Sequence, residues 1–318
     1  MKRETLYDNF LESLYQRFPQ RAKLANVLAE MLCLEKEAIY RRLRKEVPFT
    51  FHEVAIISVK MRISVDKLIS SSTEISMHMK FADFVNPNEI DIQLLQKLTD
   101  VFRESSECQT FEFGIATNIL PHNLFFLFDG LSRYFMFKWN YQYSDGKGKK
   151  FSEIHVNSQL NDMKEEYLKS MKKIKKIYYI FDNNIFKFLV DDLKYFSSIK
   201  LIDKEDIKML KNELYLLLER MEDTAAKGYY NDPSQKIYYY ISKMNFDTSY
   251  SYLESDLYTL SLTRAFTMNG FASLDHEAFT KHKRMIHALR KSSVLISESG
   301  EWERIAFIEK QREIIDSI

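Results

Sequence analysis

Glycine and proline are scarce, with 7 and 5 in 318 residues. So few breakers imply long regular elements and few elaborate loops. They also count against enzymes that cradle phosphates in glycine-rich loops. Two cysteines, Cys33 and Cys108, are too few for a disulfide framework or a thiolate metal site. They are expected to be reduced, packed thiols. No apolar run reaches the roughly 18 residues that span a bilayer. The opening stretch Met1 to Thr5 leads into a charged amphipathic segment, unlike the apolar core of a signal peptide. The expectation is a cytoplasmic chain with no membrane partner. An excess of one charge is missing as well. The 46 basic and 45 acidic residues leave a net +1, which gives no global pull toward nucleic acid or membrane.

What is present is an ordinary globular balance, 45% hydrophobic and 29% charged, in a length that suits about two domains. Aromatics are abundant, with 19 Tyr and 24 Phe. The charge is also uneven along the chain. Residues 1–70 hold 13 basic and 9 acidic residues, net +4, which leaves 33 against 36, net −3, for the rest. Within Lys36 to Lys45 alone there are five basic residues and one acid.

The first seventy residues read as a string of short helices. Leu6, Phe10, Leu11 and Leu14 recur at helical spacing before Pro19. Leu24, Val27, Leu28, Met31 and Leu32 form a second stripe. Glu35 to Lys45 is a third, strongly charged helix that ends before Pro48. Phe51 to Met61 is a fourth, with Val54, Ile57 and Met61 on one face. Ile63 to Ile69 is a short fifth with Ser64 as its N-cap.

The stretch Leu28-Ala29-Glu30-Met31-Leu32-Cys33-Leu34-Glu35-Lys36-Glu37-Ala38-Ile39-Tyr40-Arg41-Arg42-Leu43 resembles the helix-turn-helix of the lambda-repressor-like, Cro-type (XRE) DNA-binding family. Ala29 matches the small residue that lets the two helices pack closely, and Leu34 and Ile39 match the apolar anchors of the second helix. Phe51 to Ile57 and Val65 to Ile69 resemble the family's fourth and fifth helices. The resemblance covers about residues 6–70. Two departures stand out. Cys33 occupies the turn position that is usually Gly, and the Glu that often follows the basic residues of the second helix is displaced.

The resemblance implies a partner, double-stranded DNA, with the helix at about 35–45 in the major groove. Lys36, Glu37 and Arg41 match the base-reading positions. Arg or Lys donates to guanine, and Glu accepts from cytosine. Tyr40, Arg42, Arg44 and Lys45 are placed for phosphates, which position a protein without reading sequence. Tyr40 packing over its helix is an equal alternative, and Glu37 and Arg41 also suit a surface i,i+4 pair.

Beyond the polar break at Ser70 to Glu74, residues 75–318 read as a mostly helical regulatory or dimerisation domain. Ile90, Leu94, Leu95, Leu98 and Phe102 form one helical stripe. Asn118 to Trp139 is densely aromatic. Leu160, Met163, Tyr167, Met171, Ile174 and Tyr178 predict one long helix, and residues 183–197 and 203–222 two more. Ile237 to Ile241, Tyr250 to Leu253 and Tyr258 to Thr263 are β-type runs, so a small antiparallel sheet is expected within 236–270. Phe279 to Leu289 returns to helix, and Val294 to Ile296 reads as a strand. Glu301 to Ile315 closes as a helix with Trp302, Ile305, Ile308 and Ile315 inward. This larger part loosely looks like the companion region of long bacterial regulators.

No catalytic constellation emerges. His276, His282 and His287 lie at spacings of 6 and 5, which do not place three ligands on one helical face. Asp145 to Lys150 lacks the spacing of a phosphate-binding loop. Neither cysteine has a neighbouring His. No enzyme, cofactor or metal is expected. The aromatic excess is either a Phe- and Tyr-rich core or a ligand pocket or interface, with Tyr238, Tyr239, Tyr240, Tyr250 and Tyr252 as candidates. The expected fold is mainly α, a five-helix head on a larger α+β domain. The expected function is a homodimeric, sequence-specific transcriptional regulator that responds to a small-molecule or protein effector. The alternative is a protein-interaction module that keeps the helix-turn-helix shape without reading DNA.

Overall fold

The computed structural model describes residues 6–61, 63, 65, 90–144, 148–156, 158–264 and 270–318. The chain divides into two compact units, Met1–His78 and Met79–Ile318. In the first unit four helices are described: α1 (Leu6–Arg17), α2 (Arg21–Leu32), α3 (Lys36–Leu43) and α4 (Phe51–Met61). Their apolar stripes converge on one core that includes Phe10, Leu14, Leu24, Leu28, Ile39, Leu43 and Ile57. The expected five-helix head is therefore described only through its fourth helix. The fifth, expected over 63–69, lies outside the described residues apart from Ile63 and Val65, and so does the break at 70–74.

Local chemistry sets the ends of these helices. Cys33 adopts the left-handed conformation, φ 52° and ψ 45°, after α2. Its N–H donates to Glu30 O at 3.4 Å, and the Leu34 N–H donates to Ala29 O at 3.0 Å. This is a Schellman closure, which glycine usually occupies because it has no Cβ to clash. α4 begins with a capping box. The Glu53 N–H donates to Thr50 Oγ1 at 3.2 Å, and the Thr50 N–H donates to Glu53 Oε2 at 2.8 Å.

The second unit corrects the expected small antiparallel sheet. Its sheet is mixed and has seven strands: β1 (Phe111–Thr117), β2 (Lys176–Phe181), β3 (Lys236–Ile241), β4 (Ser249–Ser255), β5 (Thr259–Arg264), β6 (Gly270–Ser273) and β7 (Val294–Leu295), in the order β6-β5-β4-β1-β2-β3-β7. β1, β2 and β3 run parallel, and the remaining pairs are antiparallel. The helix expected through Tyr178 stops at Met171, because Lys176 to Phe181 forms β2 between the parallel strands β1 and β3. Parallel strands are buried on both faces, so they read as apolar runs with no period-2 mark.

Around the sheet lie α5 (Ile90–Ser105), α6 (His122–Phe125), α7 (Asp129–Tyr143), α8 (Ser158–Met171), α9 (Lys187–Ser198), α10 (Lys204–Lys227), α11 (His276–Lys291) and α12 (Glu301–Asp316). Strand alternation separates two faces. Phe113, Tyr179, Phe181, Tyr239 and Leu253 point into the large core, which takes side chains from α5 to α10 and from α12. Much of the aromatic excess is consumed there by edge-to-face contacts, such as Phe137 with Phe196 at 4.8 Å. Ala116, Ile180 and Tyr252 point to the opposite face and meet Phe279 and Ile286 of α11. α11 connects β6 at one edge to β7 at the other, so it crosses the whole face and packs on β1, β4 and β5.

α12 also departs from expectation. Phe307, Ile308, Gln311 and Ile315 are its inward residues, while Trp302 is 83% exposed and Ile305 also faces solvent. No helix among the described residues is long and apolar enough to cross a membrane.

Candidate nucleic-acid interface

α3 is held by its apolar side and by its C-terminal carbonyls. Ile39 and Leu43 are buried in the core. The last carbonyls of a helix lack intrahelical donors. Here the Tyr7 hydroxyl donates to Arg42 O at 3.2 Å, and the Tyr15 hydroxyl donates to Leu43 O at 3.0 Å. Tyr7 Oη also accepts from the Phe49 N–H at 3.1 Å, and burial raises its pKa above the usual phenol value.

Lys36, Glu37 and Arg41 all point outward and are exposed. Lys36 has no ion-pair partner among the described residues. Glu37 pairs with Arg44 instead of Arg41, with Arg44 Nη2 2.9 Å from Glu37 Oε1. Arg44 Nε also donates to Glu46 Oε1 at 2.7 Å, and these two carboxylates hold its guanidinium above its ordinary pKa. Arg41 lies 3.6 Å from Glu46. Lys45 pairs with Asp8 of α1. Tyr40 is half-buried and packs against the core.

Arg42 differs from its neighbours. It turns toward α4, where Nε donates to Glu53 Oε2 at 3.0 Å and Nη2 donates to Glu53 Oε1 at 2.8 Å. Nη1 donates to Ala38 O at 3.1 Å, and the guanidinium lies 5.9 Å from the Phe49 ring centroid. The two side chains are only 15% and 13% exposed. Burial alone would raise the Glu53 carboxyl. The Arg42 and Thr50 hydrogen bonds outweigh it and hold the group below the usual carboxylate range. The geometry makes Arg42 a brace between α3 and α4. Tyr7, Tyr15 and Glu53 are positioning residues that sequence reasoning missed. Thr50-x-x-Glu53 was a readable capping-box signal.

Tyr238, Tyr240, Tyr250 and Tyr252 all lie on the α11 face of the sheet. Tyr252 is fully buried, and its hydroxyl donates to Glu112 Oε1 at 2.8 Å and lies 3.3 Å from His287 Nε2. Tyr238 stacks on Tyr178 with centroids 5.1 Å apart. Tyr250 meets the His282 ring at 6.0 Å, and Tyr240 is half-buried beside the small cluster. Tyr239 faces the other way, into the large core. Sequence reasoning missed the charged groups between the tyrosines. Lys283 of α11 lies 3.2 Å from Glu112 and also pairs with Glu254, the residue directly opposite Glu112 in the β1–β4 register. Among the described residues no three His, Cys, Asp or Glu side chains gather as a metal ion would need.

Compared with protein-family models, with curated proteins and with solved structures, the chain matches none.

Proposed function

We propose that the protein is a sequence-specific reader of duplex DNA, with α3 entering the major groove. The observation that carries this reading is the outward row of Lys36, Glu37 and Arg41 on a short helix. That helix is fixed from behind by Ile39, Leu43 and the two tyrosine hydroxyls. A reading helix needs rigid backing and free donors at its N-terminal end. Lys36 and Arg41 serve as donors to guanine, and Glu37 accepts from cytosine. Arg44 and Lys45 take phosphates by giving up surface pairs, which are worth at most about 1 kcal/mol. Arg42 is left out, because it braces α4. The second unit serves dimerisation and effector sensing in a cytoplasmic, non-enzymatic regulator, and two-fold pairing of heads adds affinity and register.

One observation favours a second reading, a head that binds a protein without reading DNA. Four of the five cations between Lys36 and Lys45 already have carboxylate partners. Selection of bound sequences from random duplex DNA decides between the two. The expected result is an enriched motif. Arg41→Ala is expected to lose roughly 1–3 kcal/mol of binding and to relax preference at one position. If no motif enriches, and Arg41→Ala leaves affinity and its salt dependence unchanged, the DNA reading fails.

A further inference from the structure

α11 carries the same formal charge as the stretch Lys36 to Lys45. Between His276 and Lys291 there are five basic residues and one acid, net +4. The rest of residues 71–318 then holds 28 basic against 35 acidic residues, net −7. α11 is thus one of the strongly basic stretches of the second unit, beside Lys169 to Lys176 with its five lysines. That helix lies on the outside of the sheet, with its inward side fully engaged. Phe279 and Ile286 are buried, Lys283 bridges Glu112 and Glu254, His287 meets Tyr252, and His282 Nε2 is 2.9 Å from Thr263 Oγ1. Arg290 lies over the Tyr178 ring at 4.7 Å.

These inward contacts fix which cations face out. Lys281, Arg284 and Lys291 are exposed along one side of the helix. Lys281 shares its charge with Glu277 at 2.8 Å, and Arg284 and Lys291 have no ion-pair partner among the described residues. The row spans about 15 Å at 1.5 Å per residue. Its apolar content is small, with Met285 at 37% exposure the main contributor. A protein partner would need an apolar core in the interface. A phosphate backbone needs only cations at intervals, and it presents one charge per roughly 1.7 Å of duplex axis.

We infer that the outward face of α11 is a second, sequence-independent contact to the DNA backbone, through Lys281, Arg284 and Lys291. This rests on the reading of α3 as a DNA reader, and it assigns phosphate contacts to a unit whose overall charge is negative.

The test uses the full chain with Lys281, Arg284 and Lys291 all changed to Ala, a residue that favours helix. A control variant carries Lys172→Ala, Lys204→Ala and Lys208→Ala, three exposed lysines away from α11. Affinity is measured against salt concentration on the selected duplex and on an unrelated duplex of equal length. In the α11 variant the slope of log affinity against log salt is expected to shrink by about 0.9 for each phosphate no longer neutralised, up to roughly 2.7. Binding weakens equally on both duplexes, and the selected motif is unchanged. The control variant shows a smaller change. An α11 variant that matches wild type overturns the inference, and so does a control variant that falls by the same amount, since the effect would then be net charge alone. Failure of α3 is read separately, as the absence of an enriched motif. A chain that binds neither duplex overturns both.

Discussion

The stretch Lys36 to Lys45, which contains α3, and α11 hold the same formal charge and dispose of it differently. Around α3, Arg41, Arg42, Arg44 and Lys45 each have a carboxylate partner, and among the described residues only Lys36 stands alone. On α11, Lys281 and Lys283 have carboxylate partners, Arg290 rests on a tyrosine ring, and Arg284 and Lys291 face solvent with no such partner among the described residues. A charge count therefore does not say how many cations a partner can use. That depends on where acids from other elements fall. It also depends on depth. Exposed pairs such as Arg44–Glu37 are weak enough for a ligand to displace. A half-buried pair such as Arg42–Glu53 is part of the fold, because removing one partner strands the other away from water.

Arg42→Ala should give the largest effect. It takes the counter-charge from Glu53, which is 13% exposed in the pair, and it should cost the first unit about 3 kcal/mol of unfolding free energy in denaturant titrations. Arg284→Ala, on the open face of α11, should stay within about 0.5 kcal/mol. The pair also sets an acid limit. The folded pKa of Glu53 is lowered, so its stabilisation is full above the unfolded carboxyl value and is lost as pH falls through the folded one. That loss falls below about pH 4.3. In Arg42→Ala only the Thr50 hydrogen bonds still oppose the burial of Glu53, and this acid-side loss should shrink. Equal stabilities of Arg42→Ala and Arg284→Ala would erase the distinction between brace and open cation.

Lys283 is the α11 counterpart of Arg42, an inward cation that closes a gap between elements. Glu112 and Glu254 face each other across β1 and β4, where like charges repel. Lys283→Met should lower the stability of the second unit by about 2 kcal/mol, less than Arg42→Ala because these groups are wetter. Adding Glu254→Gln should recover part of the loss by removing the repulsion. A second readout is specific to charge. His287 sits below its ordinary pKa through burial, then through Arg290 and Lys283. Removing Lys283 should raise it, as measured by NMR titration of the ring. An unmoved His287 would mean that Lys283 does not act through its charge.

The difference between the two helices was only partly legible in the sequence. Periodicity placed α1 to α4 and α11, since each has an apolar stripe at 3.6-residue spacing. Lys36, Glu37 and Arg41 were singled out by the family resemblance, and all three are exposed. Periodicity did not reveal that Arg42 points to Glu53, eleven residues on, because a pair between two helices leaves no periodic trace. The sheet was legible in β3 to β5, as a Tyr-rich run in β3, alternating Tyr and Ser in β4, and alternating Leu with Thr and Ser in β5. It was lost in β1 and β2, which are buried on both faces. There Tyr178 extended a helical spacing from Met171 and Ile174 that the chain does not follow. Trp302 was misplaced because α12 carries apolar residues on more than one side, so its pattern selects no face. The charge of α11 was countable from the start, yet only the fold shows which of its cations look outward.

The smallest effect tests how the two helices begin. α11 starts at Asp275, whose side chain accepts from the Ala278 N–H at 2.8 Å, an unstrained cap. The connection into α3 instead passes through Cys33 at φ 52°, where an L-residue costs roughly 1–2 kcal/mol. Glycine escapes that clash but loses more entropy on folding, about 0.5–1 kcal/mol. Cys33→Gly should therefore stabilise the first unit by up to about 1.5 kcal/mol. Cys33→Ala keeps the Cβ and should gain nothing. Because the Cys33 side chain is exposed, neither change should alter any motif that selection from random duplex DNA enriches. If alanine stabilises as much as glycine, the backbone at this turn is not the source of the strain. The cost would then lie with the thiol, whose only described polar contact is a weak one to Glu30 O at 3.8 Å.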